Sequence, residues 1–165
     1  MWPTNSTYRR NRTIKTVCPA AGPAPDGRVD FYLLHGVTDK LISDYLDHGA
    51  PEYFREQKRL GKIRYFGFSF HGSPDALRQM LARGPWDFVQ IQLNYYDWFH
   101  GTARALYEIP REHDIPIMVM EPAHGGMLAD LPEAGRNLLL TAKPGATAAS
   151  WAFRSFGRCR GSPWF

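Results

Sequence analysis

Cysteine is nearly absent. The 165-residue chain holds two, Cys18 and Cys159, too few for a disulfide framework, a four-cysteine zinc site or a four-cysteine iron–sulfur site. Long apolar runs are missing too: no stretch approaches the roughly 20 apolar residues that a membrane helix needs. The first residues, Met1 to Arg12, are polar and arginine-rich and lack the apolar segment of a secretory signal. A reduced, cytoplasmic setting without a membrane partner is the expectation. What is present is ordinary for a globular protein: 44% hydrophobic and 22% charged residues over the length of one domain, a balance that excludes wholesale disorder.

The net charge of +4 suggests a polyanion partner until its distribution is considered. Residues 1–28 carry Arg9, Arg10, Arg12, Lys15 and Arg28 against Asp26 alone, and Arg154, Arg158 and Arg160 lie near the other end with no acid beyond them. The residues between carry a net negative charge. A basic tail binds polyanions without sequence preference, so no specific nucleic-acid partner is expected.

Residues 1–28 show no sustained periodicity, and Cys18 to Gly27 is dense in proline and glycine, so this segment is expected to be an irregular tail. Residues 158–165 form a second tail. The 29–157 stretch alternates. Four apolar runs of strand length, Val29 to His35 (stopped by Gly36), Ile63 to Phe70, Phe88 to Leu93 and Ile115 to Glu121, suit parallel strands covered on both faces. Helical patterns lie between them. Leu41, Ile42, Tyr45 and Leu46 share one face, and a second helix follows Pro51 and ends at Gly61, which supplies a left-handed residue past its end. Ser73-Pro74-Asp75 is a compact start signal before Leu77, Met80 and Leu81. Thr102 is expected to cap a helix through Leu106 and Ile109 that Pro110 kinks or shortens. A last helix spans Ala146 to Phe156, with Trp151 and Phe153 inside. About four βα units result, half of an eightfold barrel that typically needs about 250 residues. The fold class is therefore α/β: an open parallel sheet, an oligomerised half-barrel, or a piece of something larger.

In such folds chemistry gathers where strands end. The positions there are His35; Ser69, Phe70 and His71; Gln90 to Asn94; and Glu121 to Gly126. Their polar groups are expected to share one mouth. Two classes of use stay open on these residues: a metal-assisted hydrolase site from His35, His71, Glu121 and His124, and a non-catalytic half-barrel that binds a partner through exposed sheet edges.

The run Asp30 to His35, then Gly61 to Ser69 (GKIRYFGFS), then Gln90 to Tyr95 (QIQLNY), then Val119 to Pro122 with Gly125 and Gly126, resembles successive signatures of the aldo/keto reductases. The branch it is most similar to is the bacterial and archaeal one that often carries an iron–sulfur segment. The resemblance covers roughly residues 29–154 and implies a partial (β/α)8 TIM barrel, its fourth to seventh units. It also implies NAD(P)H-dependent reduction of a small aldehyde or ketone, with NADP as cofactor. His35 matches the family's catalytic histidine, Ser69 and Gln90 the pair on the nicotinamide carboxamide, and Glu121, Pro122, Gly125 and Gly126 the loop near the pyrophosphate. The position after Ser69, often asparagine in the family, is Phe70. No residue matches the family's aspartate, tyrosine and lysine, and the iron–sulfur cysteines and the basic loop for the 2′-phosphate are also unmatched. The expectation is a truncated chain with little or no activity alone.

Overall fold

A computed structural model describes residues 27–155. Both tails lie largely outside them, with Cys18, Cys159 and Phe156. The order is β1 (Val29–Val37), α1 (Ile42–Asp47), α2 (Ala50–Arg59), β2 (Ile63–Phe70), α3 (Pro74–Leu81), β3 (Phe88–Gln92), α4 (Tyr95–His100), α5 (Ala103–Glu112), β4 (Ile117–Met120), α6 (Glu133–Ala142) and α7 (Ala148–Arg154). The strands form one parallel sheet in the order β1-β2-β3-β4, as the alternation of short apolar runs with helices requires. The described residues divide into two units, one running to Gln90 and one from Ile91, so the boundary falls inside β3.

In the first unit β1 pairs with β2 from Val29↔Ile63 to Val37↔Phe70. Val29, Leu34, Val37, Ile63, Phe66, Phe68 and Phe70 are buried, and α3 seals its side of this unit with Leu77, Met80 and Leu81. A run of aromatic rings fills the core: Tyr32 stacks on Phe54 at 4.4 Å between centroids, and Trp86 contacts Phe66 at 5.1 Å and Phe68 at 4.8 Å. Gly67 is required where β2 passes the start of β3. A Cβ there would lie 2.8 Å from the Phe88 ring and closer still to its carbonyl oxygen. Asp87 fastens the same corner by accepting from the Phe66 amide at 2.7 Å and from Lys58 Nζ at 2.5 Å.

Several local expectations hold in detail. Ser73 caps α3, its hydroxyl accepting from the Ala76 amide, and Gly61 takes φ +74° just past α2. Others are corrected. β1 does not stop at Gly36 but continues to Val37 through an irregularity. In the second unit Thr102 makes no side-chain cap to α5, and the helix passes Pro110 to end at Glu112. With only two residues left after Pro110, the helix turns off through bonds from the His113 and Ile115 amides to the Pro110 carbonyl. The last helix is shorter than expected and is capped by Thr147; within it Phe153 is 56% exposed rather than inside. Two helices not expected from the sequence are present, α4 and α6. No helix among the described residues is long and apolar enough to cross a membrane.

Candidate functional site

The first unit builds its strand-end geometry from a bulge. Between Leu34 and Val37 β1 advances three residues, while β2 advances two from Phe68 to Phe70. The extra residue falls at His35-Gly36. Gly36 absorbs it with φ +70°, a conformation that costs a glycine little. The Gly36 amide, turned away from the ladder, donates to Ser69 Oγ at 2.8 Å. That hydroxyl also lies 3.3 Å from His35 Nδ1, while the Tyr45 hydroxyl donates to the His35 carbonyl at 2.6 Å. The His35 main chain is thus held from both sides, and its side chain is exposed. Next to it, His71 is anchored by its amide on the Val37 carbonyl at 2.8 Å. Desolvation first, and then the nearby His35, hold His71 below the ordinary histidine value.

Ser69 is fully buried. It was expected to face a cofactor carboxamide; the bonds its hydroxyl makes in this structure are internal, to Gly36 and His35. Gln90, its expected companion, sits half-buried on β3.

The second unit centres on a cluster that joins the strand-end residues Gln92, Asn94 and His124 through Asp97, a residue outside the expected strand-end positions. Asn94, 1% exposed, follows β3 and caps α4, its Oδ1 accepting from the Asp97 amide at 2.8 Å. Its Nδ2 donates to Asp97 Oδ2 at 2.5 Å and to the Glu121 carbonyl at 3.2 Å. Gln92 Nε2 also donates to Asp97 Oδ2, at 2.7 Å, and His124 Nδ1 lies 3.2 Å from the same oxygen. Burial alone would raise the Asp97 pKa, but the hydrogen bonds from Gln92, Asn94 and His124 outweigh it and hold the carboxyl below its ordinary value. The signal was available in the sequence: an asparagine three residues before an aspartate, directly after a strand, is a helix-start pattern.

That cluster pins the loop after β4. Glu121 and His124 adopt left-handed φ values of +54° and +50°, and Gly125 and Gly126 follow at +63° and +97°. Glu121 Oε2 accepts from the Gly125 amide at 2.6 Å. Pro122 is half-buried in the same turn, and buried Leu128 anchors its far side. The structure therefore joins His35 to Ser69 in one unit and Glu121 to Gly125 in the other. Among the described residues no three His, Cys, Asp or Glu side chains are grouped so as to hold a metal ion.

A parallel α/β sheet with helices between its strands, a held histidine near the end of β1 and a glycine-bearing turn after β4 define a class: part of a βα-barrel of the kind that works at its strand ends. Residues 27–142 match the model of the aldo/keto reductase family, and the chain belongs to that family. It is 30% identical over 104 residues to the uncharacterized oxidoreductase YqkF of Bacillus subtilis (strain 168), a match covering 63% of this chain and 31% of the relative. Among solved structures it is similar to the holo form of the aldo-keto reductase AKR11C1 from Bacillus halodurans, with 25% identity and a TM-score of 0.56, covering 78% of this chain and 44% of that one. An aldo/keto reductase from Brucella melitensis shares the fold at 20% identity and a TM-score of 0.59, over 82% of this chain and 48% of that one. The chain thus spans about a third of the curated relative's length and less than half of the solved ones.

Proposed function

We propose that this chain carries part of a nicotinamide-dependent carbonyl reductase, with NADP as cofactor and a small aldehyde or ketone as substrate, and that its 165 residues alone have little or no reductase activity. The observation that carries the reading is the hold on His35: a bulge, a buried serine and a tyrosine hydroxyl fix an exposed imidazole near the end of a strand. Such fixation is what orienting a substrate carbonyl requires. The Ser69 hydroxyl accepts from Gly36; with its own hydrogen directed to His35 Nδ1, the His35 Nε2 would carry the N–H toward a carbonyl oxygen.

A bound nicotinamide would supply the hydride. The residues that would hold the cofactor fit it unequally. Ser69 is buried and engaged, whereas the Gly125 amide is reachable once the Glu121 carboxylate moves aside. Low activity follows from the proton. The carbonyl oxygen needs a general acid tuned by its neighbours, and no residue of the chain matches the family's tyrosine and lysine.

The test is a fluorescence titration with NADPH together with a turnover assay on a reactive aldehyde. Weak NADPH binding with negligible turnover is expected. Turnover that His35→Ala abolishes would overturn the inactivity claim, and absence of NADPH binding would overturn the cofactor claim.

A further inference from the structure

Four backbone donors of the loop after β4 are consumed by the loop itself. The His124 amide donates to the Glu121 carbonyl, Gly126 to Ala123, Met127 to His124 and Leu128 to Ala123. Those bonds make the turn and cannot be surrendered without unmaking it. Gly125 differs. Its amide donates to a side chain, Glu121 Oε2, at 2.6 Å, and Gly125 is exposed, as is Glu121. A carboxylate on a backbone N–H at a glycine turn is the arrangement that an external phosphate oxygen would adopt there.

We infer that the Glu121 carboxylate is an internal anion occupying the loop's displaceable donor, so that Glu121 sets how tightly this loop takes a phosphate-bearing ligand. The inference rests on the cofactor reading above. Two consequences follow from the chemistry. A phosphate arriving at Gly125 must break a charge-assisted hydrogen bond, and it must then sit beside the displaced carboxylate. Both effects weaken binding, and both vanish when the charge is removed. Glu121 therefore acts as a selectivity element: it admits a ligand whose other contacts are strong enough to displace it and turns away a lone small anion. No lining cation is needed for this, since what is released is a neutral amide whose hydrogen already points at an anion.

The experiment is calorimetric titration of the full chain with NADPH and, separately, with inorganic pyrophosphate. Wild type is compared with Glu121→Gln, Glu121→Ala and Glu133→Gln, at one pH and one salt concentration. Glu133, on the first turn of α6, controls for the loss of one unit of charge anywhere on the surface. Loss of a charge-assisted hydrogen bond predicts that both Glu121 variants bind about tenfold tighter or more, with Glu133→Gln unchanged. A readout independent of ligand accompanies this: in isotope-labelled protein the Gly125 amide proton should move upfield in both Glu121 variants. If wild type binds NADPH and neither Glu121 variant binds it tighter, or Glu133→Gln tightens it equally, the inference is overturned and the cofactor reading survives. If only the Glu121 variants bind, the inference stands and NADPH binding by the unaltered chain does not. If none binds, both are overturned.

Discussion

Replacing Asp97 with asparagine should loosen the loop after β4. The Asp97 carboxylate is 18% exposed and its Oδ2 receives three contacts, from Gln92, Asn94 and His124. Asparagine has nearly the same shape but offers one neutral acceptor and one donor, so the three donors lose their shared charge and one side of the group faces them with N–H. A hydrogen bond to a charged group contributes about 1.5–3 kcal/mol, and bonds sharing one oxygen are not additive; we expect Asp97→Asn to cost about 2 kcal/mol at neutral pH. The sign of the pH dependence follows from the depressed carboxyl. Its contribution is complete above the ordinary aspartate value of 3.8 and is lost as pH falls through the lower native value. The gap between wild type and variant should therefore be present at about pH 4 and above and close below that. Urea unfolding followed by circular dichroism at several pH values measures the gap. Hydrogen exchange at the Gly125, Gly126 and Leu128 amides measures the local effect, which should be faster exchange in the variant. Equal stability at neutral pH, or a gap that persists undiminished into strong acid, would refute the account of Asp97 as an ionised hub.

Two further substitutions test the first unit. Gly67→Ala places a methyl group against the Phe88 ring and carbonyl; overpacking of this kind costs about 3 kcal/mol, and a wild-type thermal midpoint in the variant would show the corner to be looser than described. Ser69→Ala removes the acceptor for the Gly36 amide and should cost about 1–2 kcal/mol in urea unfolding, with faster hydrogen exchange at the Gly36 amide; unaltered exchange there would mean that Ser69 does not hold the bulge.

Legibility in the sequence tracked burial. β2 was read to its exact ends because Ile63, Phe66, Phe68 and Phe70 are buried and bounded by polar or glycine residues. α3 was readable because its cap, its proline and its buried face coincide. α6 escaped notice for the opposite reason. None of its residues is buried, and Leu138 and Leu140 are 71% and 44% exposed, so no one-sided apolar stripe marks it. α4 was hidden by composition: an aromatic run, Tyr95 to Phe99, reads as pocket wall or packing, and the helix is declared by Asn94 rather than by its own residues. The continuation of β1 through Gly36 was invisible because it depends on a hydroxyl 33 residues away. Glycine reads locally as a stop, and only the partner on β2 makes it a bulge.

Among the candidate residues, the sequence located positions better than roles. His35, Ser69, Glu121 and Gly125 do lie at strand ends, but which of them faces outward was decided by packing. Ser69 and Asn94 make the point. Each follows or ends a strand, each is essentially buried, and each directs its polar atoms to backbone of the neighbouring strand's end: Ser69 to the Gly36 amide, Asn94 to the Glu121 carbonyl. A buried polar side chain must be paired or it destabilises the fold, and here the pairing supports the adjacent turn. On the proposed function, the groups that would meet a ligand are those being held, the His35 imidazole in one unit and, once Glu121 moves aside, the Gly125 amide in the other. Substitutions at Ser69 or Asn94 should consequently act on binding through the order of the loops they support, whereas substitutions at His35 or Glu121 should act on binding while leaving the exchange rates of the sheet amides unchanged.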